Sequence, residues 1–431
     1  MAHIMVTRRR LLGSLGALAG TAALPHMALA SAAAEARFPA VTAMLERYVG
    51  TGRLAGMIAS IGWGAGEAPL GIARGSLARG APQPVGMDSL FRIYSMTKPI
   101  TGMAAMMLVD EGKLRLDQPI SDLLPAYAKM MVQAVPDGSL TDLRPARAQI
   151  TVRHLLTHTA GLGYSIIQKG PIKDAYIRAG LVPGQASRVR VPGVDAPKPL
   201  RSLAEFADVL ATMPLVYEPG STWSYSVGLD LLGRVIEVAS GKPFDAFLDE
   251  RIFAPCGMTS TWFRVPEAEA GRLSTNYGVV GGVLVPIDPA PASVYLESPP
   301  WPFGGSGLVS SPRDYDRFQR MLLGYGTIEG RQVMSEAAVR LGTSNLLPEG
   351  TDLSRAFIRG SGFGAGGSVG LGDDAGTYGW AGAAGTVGFV NFRIGLRAGC
   401  YTQYMPSEAY PVHSEFPKAV LADVMTRKAA A

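Results

Sequence analysis

The chain has 431 residues, 47% hydrophobic and only 17% charged, so it can bury a large core, as one big α/β unit with an insertion or as two domains sharing a cleft. The formal charge of +5 falls to near +2 once Arg8, Arg9 and Arg10 are set aside, because no acid precedes Glu35. That balance gives no footing for a nucleic-acid or membrane-surface role, and two cysteines are too few for a zinc ribbon or a cluster.

Met1 to Met5 read as a cloning scar. Thr7-Arg8-Arg9-Arg10, an apolar run over residues 11–24 and Ala28-Leu29-Ala30 then give the charged head, short apolar middle and small-residue cleavage site of a secretory signal peptide. The paired arginines point to the twin-arginine route, so an exported, periplasmic protein is expected. About 14 apolar residues are too few to span a bilayer, and no membrane anchor is expected.

A helix is predicted over residues 40–49, followed by short β runs such as residues 56–62. A second helix starts at Ser95 and runs to about Glu111, with Met103, Met106, Met107 and Val109 spaced for burial and Gly112 as its stop. Pro99 falls in its first turn, where a missing N–H costs little, which puts Ser95 at the helix N-terminus. Residues 150–158 open another helix. Residues 226–240 make one with Leu231, Leu232, Val235 and Ile236 inward and Gly241 as cap. Strand-like segments lie near residues 277–280, 304–310, 386–392 and 396–403. β material at both ends around a helical middle predicts one α/β domain from residues 31–112 and 291–431, with a helical domain over 113–290 facing it. Active sites favour such clefts. Cys256 and Cys400 read as small buried hydrophobes.

Ser95 and Lys98 are three residues apart and share a helical face, as a nucleophile and its proton acceptor would. In isolation the spacing is common. A lysine is ordinarily protonated at pH 7, and only burial makes its amine a base. Ile93, Tyr94, Met96 and Ile100 supply an apolar sleeve with no adjacent carboxylate in the sequence. Tyr225, in Trp223-Ser224-Tyr225-Ser226-Val227 at the head of the 226–240 helix, can relay the proton to a leaving group. Without Ser95 it would read as a core aromatic. Tyr378-Gly379-Trp380-Ala381-Gly382-Ala383-Ala384-Gly385-Thr386 is a small-residue strand edge whose N–H groups a substrate carbonyl could approach.

Tyr94-Ser95-Met96-Thr97-Lys98-Pro99, the Leu155-Leu156-Thr157-His158-Thr159-Ala160-Gly161-Leu162 run, Tyr225-Ser226 and Trp380-Ala381-Gly382 occur in this order. Together they resemble the serine β-lactamase/penicillin-binding protein superfamily, and within it most the family VIII carboxylesterases, which share the class C β-lactamase fold. The resemblance implies an α/β fold with an antiparallel sheet built from both chain ends, flanked by helices, plus a mostly helical insertion. It implies Ser95 as nucleophile, Lys98 and Tyr225 as the base pair, and oxyanion donors from the N–H groups of Ser95 and Ala383. No cofactor or metal is implied. Two departures bear on substrate. Val227 stands where β-lactamases of this type carry Asn, and Trp380 stands where they carry the Lys of Lys-Thr-Gly. Losing those polar contacts removes part of the grip on a β-lactam, and Trp380 offers an apolar wall instead.

Small ester substrates are therefore expected, with weak or no β-lactam turnover, through an acyl-enzyme. The alternatives are an acyltransferase, a D-amino-acid amidase or peptidase, or a β-lactamase on the same site, and, from another class, a non-catalytic binding relative. Val227, Trp380, Ala381 and Gly382 are candidate substrate contacts, as are the loop aromatics Tyr164, Trp223, Trp301 and Phe303, which could rim the cleft. Other motifs weigh less. Gly366-Gly367-Ser368-Val369-Gly370 has the letters of a nucleophile elbow but glycines crowd both sides, and His413 is the only histidine after it. Gly362, Gly364 and Gly367 match a dinucleotide fingerprint with no helix following. His154 and His158 share a predicted helical face without the glutamate of a zinc motif, and read as structural. The sequence is silent on subunit count.

Overall fold

Strand pairing ties the two ends of the chain together. The computed structural model describes residues 32–182, 184–188, 199–358 and 360–430, and the predicted export leader lies outside them. Helix α1 (Pro39–Gly50) leads into β1 (Gly56–Trp63) and β2 (Leu70–Gly75), and much later the chain returns as five strands. These are β3 (Ser361–Phe363), β4 (Ser368–Gly370), β5 (Thr377–Gly382), β6 (Thr386–Asn391) and β7 (Leu396–Tyr401). They form one seven-stranded antiparallel sheet in the order β3-β4-β5-β6-β7-β1-β2, with Ile58 opposite Tyr401 where the ends meet. β1 lies between β7 and the edge strand β2 and reads Gly-Met-Ile-Ala-Ser-Ile-Gly-Trp, buried on both faces, which explains an apolar run broken only by Ser60.

One face of the sheet is covered by α1 and the C-terminal helix α6 (Val412–Ala430) around Phe38, Met57, Ile61, Cys400 and Phe416. Asp423 of α6 accepts the N–H groups of Ala40 and Val41 at 2.9 and 3.0 Å, so one terminal helix supplies the N-cap of the other. The opposite face holds α2 (Thr97–Asp110), α5 (Pro312–Leu323) and the helical region, whose α3 (Val152–Leu156) and α4 (Gly228–Ser240) pack on α2 or on each other. Both cysteines are free and buried, and burial pushes the Cys256 thiol up to about 12. Among the described residues, no helix is long and apolar enough to cross a membrane.

Three segments differ from the sequence expectation. The helix expected over 150–158 is one short turn, Val152–Leu156. Thr151 caps it by accepting the His154 N–H, and His154 Nδ1 accepts the Thr151 N–H in return. His158 lies beyond its end at φ +56°, so the two histidines share no helical face. In 304–310 only Val309–Ser310 is strand; Gly304 to Ser306 form a turn. The third is the hairpin of Asn276–Val280 and Val283–Asp288: its first strand meets the expectation near 277–280, while its second falls in the stretch assigned to the helical domain with no strand expected there. The hairpin pairs with Tyr404–Met405 near the chain's end.

That hairpin steadies the approach to Ser95. Arg92, fully buried, donates through Nε to Asp288 at 2.7 Å, and through its other nitrogens to the Ser274 carbonyl and Ser293 Oγ. Removing one partner strands the other's charge in the core. Arg92→Ala is expected to lose about 3–5 kcal/mol of stability in urea denaturation, whereas Arg92→Met combined with Asp288→Leu loses much less. Equal losses would show that the pair's charges do not set the cost.

Candidate active site

Ser95 sits where three constraints converge. Tyr94 before it takes a left-handed backbone at φ +42°, rare for an aromatic residue and tolerated only where surroundings over-determine it. Those surroundings are visible. The Tyr94 hydroxyl accepts from Asn276 Nδ2 at 3.1 Å, its ring meets Tyr295 edge-on at 6.4 Å, and burial pushes its phenol up to about 12. A short 3₁₀ turn, Tyr94–Met96, then feeds α2, and the Tyr315 hydroxyl holds the Met96 carbonyl at 3.2 Å. The end of β5 lies directly against this segment: a Cβ on Gly382 would stand 2.2 Å from the Ile93 carbonyl oxygen. Only glycine lets the strand approach so closely.

Around the Ser95 hydroxyl the polar groups are few and close. Lys98, one turn on, is 1% exposed, and its Nζ donates to Ser95 Oγ at 3.2 Å and to the Gly305 carbonyl at 2.7 Å. The same nitrogen lies 4.6 Å from the centre of the Tyr225 ring and 5.9 Å from that of Tyr164. Tyr225 donates its hydroxyl to Ser95 Oγ at 2.8 Å, and the Trp380 indole N–H donates to the Tyr225 oxygen at 3.2 Å. Ser95 and Tyr225 are 130 positions apart in the chain.

Tyr225 is set by its loop and by His158. The Ser224 N–H reaches the His158 carbonyl, the Ser226 N–H reaches His158 Nδ1 at 3.2 Å, and the His158 and Tyr225 ring centres are 4.6 Å apart. Burial and the Lys98 charge hold the His158 imidazole well below its ordinary range, so it is neutral. It buttresses the loop that carries Tyr225.

The remaining candidates divide. Trp380 and Ala381, in β5, are half-buried at the mouth of the site, and Gly382 ends that strand. Ala383 follows in the turn to β6, the region carrying the implied second oxyanion donor. Val227 is fully buried at the N-cap of α4. Tyr164 is buried 5.5 Å from the Tyr225 ring, behind it. Trp301 and Phe303, 3% and 1% exposed, pack against each other with tilted rings, Trp301 also against Phe206, so they are core residues and form no rim. Trp223 is buried against Tyr225 and Phe363. Ser368 lies in β4 opposite Phe363 and Gly379, in flat strand pairing with no elbow, and the nearby glycines join two strands with no helix between.

Three residues had no clear signal in the sequence. Phe357, 63% exposed, lies over the site with its ring 4.9 Å from Trp223, 5.5 Å from Tyr225 and 5.9 Å from Trp380. Gly305 offers its carbonyl to Lys98, and Asp230 of α4 accepts the Gly305 N–H at 2.9 Å. Burial pushes the Asp230 carboxyl up to about 6, with the Lys98 charge and the Gly305 N–H drawing it back down. The carboxylate missing from Lys98's sequence neighbourhood thus arrives from another helix. Chemically, the arrangement offers one hydroxyl with two proton-exchanging neighbours in a mostly apolar recess, suited to nucleophilic attack on a carbonyl.

An antiparallel sheet closed by both chain ends, with a Ser-x-x-Lys helix beneath its edge and a tyrosine from a helical region, defines a serine hydrolase of the β-lactamase/penicillin-binding protein fold. The chain belongs to the Beta-lactamase family, whose description matches residues 41–419. It is similar to protein Rv1367c of Mycobacterium tuberculosis, 38% identical over 318 residues that cover 70% of this chain and 74% of that one. It is also similar to esterase EstB of Burkholderia gladioli, 31% identical over 384 residues covering 82% and 87%. Among solved structures it superposes on EstCE1, a hydrolase with promiscuous acyltransferase activity, with a TM-score of 0.70 and 25% identity over 91% of this chain and all of the other.

Proposed function

We propose that the protein is a carboxylesterase that cleaves short-chain or aryl esters through an acyl-enzyme on Ser95. The observation that carries this reading is Ser95 Oγ within hydrogen-bond reach of both Lys98 Nζ and the Tyr225 hydroxyl. Ser95 Oγ attacks the ester carbonyl and its proton passes to the Lys98–Tyr225 pair. The oxyanion is held by the N–H groups of Ser95 and Ala383. Tyr225 protonates the departing alcohol, and water activated by the same pair releases the acid.

Trp380 favours esters over β-lactams. Its indole N–H occupies the donor position on Tyr225, a neutral contact where the β-lactamase pattern has an ammonium. Together with Phe357 it gives the site an aromatic wall, backed by the buried Trp223, and no cation for a β-lactam carboxylate from that position. EstB, an esterase by name, supports the same direction. The test is a chain-length series of nitrophenyl esters beside nitrocefin. Short-chain ester kcat/KM is expected to exceed that for nitrocefin by ~100-fold or more, the worth of losing one charge-assisted contact. Comparable efficiencies would overturn the ranking. The aromatic wall also suits an alcohol acceptor competing with water, as in the acyltransferase activity of EstCE1. Product analysis in the presence of added alcohols reads that partition.

A further inference from the structure

The turn opposite Lys98 is clamped from two helices. From α2, the buried Thr101 hydroxyl donates to the Gly304 carbonyl at 2.7 Å. From α4, Asp230 Oδ1 accepts the Gly305 N–H at 2.9 Å. Between these anchors the Gly305 carbonyl faces Lys98 Nζ at 2.7 Å. The contact has no slack: a Cβ on Gly304 would lie 2.4 Å from the Leu229 carbonyl oxygen, and one on Gly305 would lie 2.7 Å from Asp230 Oδ2. Asp230 is 1% exposed and its second oxygen, Oδ2, has no hydrogen-bond partner. A buried carboxylate with one oxygen unsatisfied costs stability, which is the pattern of a residue retained for a task.

We propose that Asp230 is a positioning residue for Lys98: through the Gly305 N–H it fixes the carbonyl that holds the lysine amine against Ser95. The proposal rests on the reading of Ser95 and Lys98 given above and deepens it. A lysine is a flexible four-carbon stem, and its amine is useful only where something other than the substrate holds it. In Ser-His-Asp enzymes the acid fixes the base by direct contact. Here one residue of backbone stands between them, which keeps the carboxylate off the amine while still aiming it. The charged and titratable groups that feel Asp230 are Lys98 and Tyr164.

The experiment compares Asp230→Ala, Asp230→Asn and Thr101→Val in the full chain. It reads kcat and KM for nitrophenyl acetate, the rate of fluorophosphonate labelling of Ser95, and the melting temperature. Asp230→Ala is expected to lose ~100-fold in kcat and in labelling rate with KM within about threefold, the scale of an ångström's misplacement of a reacting group. Asp230→Asn, whose Oδ1 accepts the same N–H, is expected to recover most of that loss. Where Asp230→Ala does not fold, Thr101→Val tests the same turn from the other side, with an expected ~10-fold loss in kcat. An alanine variant at wild-type rates would overturn the proposal. So would an asparagine variant as slow as the alanine one, because charge and not the hydrogen bond would then be what matters. A wild-type protein that neither hydrolyses esters nor labels at Ser95 would instead refute the esterase reading, so the two failures are distinguishable.

Discussion

Ser95→Ala turns over nitrophenyl acetate at the background rate, a loss of at least ~10⁴-fold, while the folded protein melts within a few degrees of wild type. The activity side follows because Ser95 Oγ is the oxygen on which the other polar groups of the site converge. Lys98 points at the same oxygen, Tyr225 donates to it, and Ser368 lies in flat strand pairing. The stability side follows because Ser95 is only half-buried and its loss deletes an acceptor, not a packed side chain. Steady-state kinetics beside a thermal melt checks both. An alanine variant retaining more than about a tenth of the activity, against that ~10⁴-fold loss, would remove Ser95 from the chemistry.

Lys98→Met is expected to be as inactive, and its stability is expected to depend on pH in a way that identifies what the lysine faces. The apolar isostere fits the stem's volume, but removing one member of a buried charged set leaves the other's charge uncompensated wherever that other is ionised. Asp230 makes the difference. Its carboxyl is already raised to about 6 by burial, with Lys98 holding it down. A raised carboxyl stabilises the folded state below the ordinary carboxylate range, and that stability is lost as pH rises through about 6. For a fully buried group shifted this far the penalty at neutral pH is roughly 3 kcal/mol. Removing the lysine raises the carboxyl further, so the penalty grows on the alkaline side. Lys98→Met should therefore match wild type near pH 5 and fall behind it near pH 8 in paired urea titrations. A deficit independent of pH would mean that Asp230 does not sense Lys98.

What the sequence disclosed was governed by how local each signal is. The Ser95–Lys98 spacing is written in four residues, and the Tyr225 and Trp380 motifs stand in characteristic strings, so those positions could be named. Terminal β runs flanking a helical middle were enough to predict a sheet drawn from both ends, because β1 and β7 are mostly apolar, broken only by Ser60 and Arg397. The Asp230–Gly305 contact joins residues 75 apart and leaves no pattern in either segment. Asp230 reads as one polar position in an amphipathic helix, and residues 304–310 read as strand although the glycines there serve close approach to α4. Helical spacing placed His158 on a face with His154, yet the turn had already ended at Leu156. The hydropathy of Trp380 suggested a wall and concealed the direction of its N–H, which only the fold aims at Tyr225. Burial of loop aromatics is likewise a property of the whole fold: Trp301 and Phe303 went to the core, while Phe357, unremarked in its loop, came to cover the site.

The most direct test of a covalent route through Ser95 is rapid quenching during turnover of a nitrophenyl ester, followed by mass spectrometry of the intact chain and its peptides. The account predicts a burst of nitrophenol matched by one acyl group added to the chain and located on the peptide containing Ser95. A burst with the acyl group on another residue, or steady turnover with no acylated protein even for slowly hydrolysed bulky acyl esters, would contradict it.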